Sequence, residues 1–90
     1  MSLDELRNQI DEIDEEIVRL FVRRMDVVSR VAEEKQTTGR PVRDRRREEA
    51  VSEKAVERAG EEYAPYIREL YEKMFEVSRN FQFDRTERQK

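Results

Sequence analysis

Residues 3–36 read LDELRNQIDEIDEEIVRLFVRRMDVVSRVAEEKQ, a run that contains neither glycine nor proline. Within it Leu3, Arg7, Ile10, Asp14, Ile17, Phe21, Arg24, Val28, Val31 and Lys35 succeed one another at alternating steps of four and three. On a helix that rhythm sets them all on one stripe. A second seam, Leu3, Leu6, Ile10, Ile13, Ile17, Leu20, Val27 and Val31, lies beside it and widens the apolar face. The pattern predicts a helix of about 50 Å at 1.5 Å per residue. Three members of the first stripe, Arg7, Arg24 and Lys35, are cations on a face that a helix normally buries. An unpaired buried charge is costly. Any one of these cations reads as a stem snorkelling at the seam edge or a partner of Glu on a neighbouring helix. All three together point to an anion held between helices.

The rest of the chain fits an all-helical architecture. Ser2 and Glu5 form a capping-box pattern ahead of the first apolar repeat. Gly39 suits the left-handed position after the helix end, and Pro41 follows it. Asp44 is placed to cap a second helix over about 45–59, with a poor apolar stripe of Ala50, Val51, Ala55, Val56 and Ala59. Such a helix needs another element to lie on. Gly60 ends it, and Pro65 opens a third helix over about 65–83. Its inward positions read Ile67, Leu70, Tyr71, Met74, Phe75, Ser78 and Phe81, with Tyr63 and Tyr66 as core or rim. The polar tail from Asp84 to Lys90 is expected to fray.

Ninety residues, 36% hydrophobic and 46% charged, make one small domain with a thin core. The expectation is a free-standing chain that completes its core in an oligomer. With 19 basic and 22 acidic residues the net charge is −3, no general polyanion signature. Arg40-Pro41-Val42-Arg43-Asp44-Arg45-Arg46-Arg47-Glu48 is locally basic, yet two acids interrupt it and no aromatic residue is interleaved. It reads as a solvated helix start, not a nucleic-acid site, with Arg47 and Glu48 near the apolar edge beside Val51. There is no cysteine and no histidine, which removes disulfides, thiolates, and the commonest metal ligand and general base. No metal or cofactor is expected. No segment reads as a membrane span or a signal peptide, and a cytoplasmic protein is the reading adopted.

Geometry links the cations to a second copy. Arg24 and Lys35 are separated by about 16 Å of helix, within reach of one small molecule for two long side chains. Arg7 lies about 42 Å from Lys35 on the same rod and cannot join them. If two copies of the helix pack antiparallel with their centres near residue 18 or 19, the partner's Arg7 falls opposite residues 29 to 31, between Arg24 and Lys35. A two-fold dimer of this kind contains two such sites. On the third helix, Ser78 and Gln82 sit at i,i+4 on the flank that carries Tyr71 and Phe75, either as interfacial hydrogen-bonding residues or as polar groups that orient a ligand.

In this order and spacing, Leu6-Arg7, Ile10, Asp14, Arg24, Lys35, the stretch Arg40 to Asp44, Arg47-Glu48, Ser78 and Gln82 match a known pattern. The chain resembles the all-helical class of chorismate mutases over almost its whole length. That resemblance implies an intertwined homodimer of three-helix chains and a stand-alone isomerase that converts chorismate to prephenate, in the shikimate pathway toward phenylalanine and tyrosine. It implies that Arg7 enters the partner's site, that Arg24 binds a carboxylate, and that Lys35 contacts a carboxylate and the ether oxygen. Gln82 would donate to the same oxygen. Arg47 would add positive charge, Glu48 with the backbone near Asp44 would hold the ring hydroxyl, and Ser78 would assist at a carboxylate. The reaction is an intramolecular Claisen rearrangement and needs no nucleophile, metal or cofactor. Two alternatives stay open: an isochorismate-pyruvate lyase on the same fold, and a non-catalytic helical adaptor.

Overall fold

A computed structural model describes residues 1–88 and consists of three α-helices: α1 (Leu3–Thr38), α2 (Arg45–Ala59) and α3 (Ala64–Arg88). A single 3₁₀ turn, Glu61–Tyr63, leads into α3. There is no strand among the described residues. Helix ends follow the local chemistry. The Ser2 hydroxyl accepts from the Glu5 amide at 3.1 Å and opens α1. Gly39, at φ 75°, closes it with its amide on the Lys35 carbonyl. A side chain there would meet strain that glycine avoids. The Asp44 carboxylate accepts from the Arg47 amide at 3.0 Å and opens α2. Gly60, at φ 89°, ends α2 with its amide on the Val56 carbonyl.

Helix α3 runs beyond the expected end near residue 83. Nothing from Asp84 to Arg88 breaks a helix, and the two residues of the polar tail beyond them, Gln89 and Lys90, lie outside the described residues. The other departure is Leu70, expected inward and found 53% exposed. It borders an apolar groove with Ile17, Leu20 and Phe21 of α1, so in one chain its inward face has no cover.

Helix α3 packs against both α1 and α2, whereas among the described residues α1 and α2 do not pack on each other. Polar contacts give the directions. Arg24 meets Ser78 and Lys35 meets Gln82, so α1 and α3 advance together. Glu48, at the start of α2, meets Arg79 late in α3, so α2 runs back. The gap between α1 and α2 is floored by α3.

One chain makes a sparse core. Met25, Ala32, Ala55 and Ala64 are its buried apolar residues. The radius of gyration is 16.2 Å, against about 12 Å for a compact globule of this length. The longest dimension, 53 Å, matches the length of α1. Every residue from Leu3 to Arg23 is exposed, with Ile10, Ile13 and Ile17 each more than half open. No described helix is long and apolar enough to cross a membrane.

Candidate active site

The site grows from two polar residues in an otherwise apolar interior. Ser78 and Gln82 are as buried as the core itself, at 7% and 6% exposure. They lie one helical turn apart on α3, and the Gln82 amide donates through Nε2 to the Ser78 carbonyl at 3.3 Å. A polar group buried this deeply requires partners. Those partners come from α1, at the two cations of its stripe.

Arg24 donates from Nη1 to the Ser78 hydroxyl oxygen at 3.0 Å, and that hydroxyl points its own proton toward the Met25 sulfur at 3.9 Å. Ser78 thereby fixes one edge of the guanidinium. Lys35 donates to the Val42 carbonyl at 2.6 Å and to Gln82 Oε1 at 3.5 Å. The lysine thus ties the loop between α1 and α2 to α3. An ammonium has three protons, and these two contacts use two of them.

Around these groups lies a cavity of about 260 Å³. Arg24 and Lys35 from α1, Asp44, Arg47 and Glu48 from the start of α2, and Ser78 and Gln82 from α3 all line it. Seven of the eight residues singled out in the sequence therefore meet at one place. Arg7, the eighth, is exposed and does not border the cavity of its own chain. Val27, Val28, Val31, Val42, Val51 and Phe75 supply an apolar lining. Its volume, just under the about 300 Å³ of the smallest ligand pockets, suits a compact molecule.

Charge is distributed unevenly here. Among the described residues, Arg24, Lys35 and Arg47 have no carboxylate within ion-pair distance. The nearby carboxylate of Glu48 is taken by Arg79, Nη1 to Oε2 at 2.7 Å, with both side chains about four-fifths buried (21% and 20% exposed). Arg79 was not singled out in the sequence, although it lies four residues after Phe75 and three before Gln82, on the same flank. The cavity is left with three cations unneutralised by protein, the arrangement expected of a site for a small polyanion.

Fold and site together define an all-helical protein with a compact cationic pocket. Compared with models of known families, the chain matches chorismate mutase type II over residues 6–83. It belongs to that family, and membership supports chorismate mutase activity, an isomerase reaction on chorismate. Neither the curated proteins nor the solved structures compared with the chain give a significant match.

Proposed function

We propose that the protein rearranges chorismate to prephenate in this cavity, by binding a reactive conformer and stabilising charge on the breaking ether bond. The observation that carries the proposal is the convergence of Arg24, Lys35 and Arg47, without carboxylate partners, on a small pocket that also holds Gln82. Chorismate is a compact dianion, and its rearrangement requires the enolpyruvyl arm to fold over the ring. Cations at fixed spacing select that folded form, which lowers the entropic part of the barrier.

As the carbon–oxygen bond breaks, negative charge accumulates on the ether oxygen. Lys35 and Gln82 approach that oxygen from two helices, and donors held in place beforehand bind the transition state more tightly than the ground state. The Val42 carbonyl and the Gln82 side chain fix the lysine before substrate arrives. Arg24, braced by Ser78, takes a carboxylate. Arg47 adds positive charge at the rim, and Glu48, with the backbone at Asp44, accepts the ring hydroxyl. No proton is transferred in any of these steps, which suits a chain without histidine.

The second carboxylate calls for a further cation, and we assign this to Arg7 of a second copy. Two features support the dimer. One is the exposed apolar seam of α1; the other is the groove of about 530 Å³ bordered by Ile17, Leu20, Phe21, Leu70, Tyr71 and Met74. A second α1 laid antiparallel on this face covers both and carries its Arg7 toward the cavity.

The direct test is loss of the diene absorbance of chorismate on addition of purified protein at neutral pH with EDTA present. The expected result is rapid loss with prephenate as the product. No loss on chorismate, with pyruvate released from isochorismate, would replace this proposal with a lyase. Inactivity on both would return the chain to an adaptor role.

A further inference from the structure

Resting on the mutase reading, we propose that Arg79 is a positioning residue that makes Glu48 a one-oxygen acceptor for the ring hydroxyl of the substrate. A glutamate in a cavity bearing Arg24, Lys35 and Arg47 has three obvious partners, and pairing with any of them would neutralise a charge the substrate needs. The structure shows a different pairing. Glu48 Oε2 accepts from Arg79 Nη1 at 2.7 Å, and its other carboxylate oxygen makes no hydrogen bond among the described residues.

The consequence is geometric as well as electrostatic. Arg79 projects from α3, one residue after Ser78, and Glu48 from the first turn of α2, so the pair bridges the two helices that bound the cavity opposite α1. A carboxylate held by a charged hydrogen bond on one oxygen has few orientations left for the other. That second oxygen, borne on a residue that lines the cavity, is the acceptor for a ring hydroxyl. A site built to accept such a hydroxyl discriminates strongly against the molecule that lacks it, because a buried acceptor is then left unpaired. Arg79 also lines the cavity, but its Nη1 is committed to Glu48. Its effect is on recognition of the hydroxyl, through Glu48.

A simpler role for the pair would be a clasp that fastens the weakly apolar α2 to α3, and the test separates the two. Kinetics on chorismate are measured for the wild type, Arg79→Met, Glu48→Gln and the double variant. The inhibition constant of a chorismate analogue lacking the ring hydroxyl is measured beside them. Arg79→Met is expected to raise the KM for chorismate by about tenfold to a hundredfold, as loss of a charged hydrogen bond does, with kcat little changed. Its inhibition constant for the deoxy analogue should stay within about twofold of wild type, and adding Arg79→Met to Glu48→Gln should cost nothing more. Arg79→Lys, which keeps the charge and serves if Arg79→Met does not fold, should show the same hydroxyl-selective loss to a smaller degree. Equal weakening of chorismate and the deoxy analogue would reduce the pair to a clasp and overturn the proposal. Unchanged chorismate kinetics in a folded variant would do the same. A wild-type protein that does not convert chorismate would remove the mutase reading itself, an outcome visible before any variant is made.

Discussion

The two halves of α1 share one heptad rhythm and have different surroundings. From Arg24 onward the helix lies on α3, Met25 and Ala32 are buried, and Arg24 and Lys35 reach the cavity. Before Arg24 every helical residue is exposed, Leu6, Ile10, Ile13 and Ile17 included. A contiguous apolar seam of that length marks a surface to be covered. The contrast teaches that periodicity specifies which side of a helix is buried, while the identity of the covering element depends on the reach of the chain. Here α2 and α3 are too short to cover both halves of α1.

If the C-terminal half holds the chemistry, Lys35→Ala should have the largest effect. Removing a preorganised donor from a developing oxyanion lowers kcat by about a hundredfold to a thousandfold. Steady-state rates and light scattering on the same sample should show lost turnover with the oligomeric state retained. If the N-terminal half holds the dimer, Ile17→Glu should break it, and turnover should fall with it because the partner's Arg7 is lost. Near the proposed two-fold axis the new carboxylate would face its own copy, and the dimer dissociation constant should rise at least about a hundredfold. Sedimentation would detect monomers, with helix content at the cavity end preserved.

A third substitution sharpens the chemical half alone. Gln82→Glu places a carboxyl, ordinarily ionised above about pH 4.3, where a donor is needed. Only its protonated form donates, so activity should increase as pH falls through the acid range. The wild type should stay flat between about pH 6 and 8, since it has no histidine to titrate there. A Gln82→Glu profile as flat as that of the wild type would remove the ether-oxygen role. The smallest effect belongs to the far end of α1. Ser2→Ala deletes the acceptor for the Glu5 amide and should cost about 1 kcal/mol, read as a modest drop in melting temperature with turnover intact.

Much of this was legible in the sequence, for reasons that also set the boundary. Arg24 and Lys35 stood out because a cation in an apolar stripe violates the pattern around it. Ser78 and Gln82 stood out as neutral polar residues on the flank of Tyr71 and Phe75. The caps at Ser2, Gly39, Asp44 and Gly60 were readable because each depends on local chemistry alone. Arg79 was not readable. On a chain with 19 basic residues a single arginine carries no signal, and its partner Glu48 lies 31 positions away on another helix. The extent of α3 beyond residue 83 is not legible from polarity, which suggests fraying, although no residue there stops a helix. For Leu70, helical periodicity indicates the inward side but not whether one chain can cover it.

If each site draws cations from two chains, mixing two inactive variants reveals it most directly. Arg7→Ala and Lys35→Ala should each be nearly inactive alone. A heterodimer of the two carries one site with the intact Lys35 of one chain and the intact Arg7 of the other, and a second site with neither. After verified subunit exchange, chorismate turnover should recover to a substantial fraction of the wild-type rate per dimer. Exchange without recovery would contradict the shared site and confine the chemistry to a single chain.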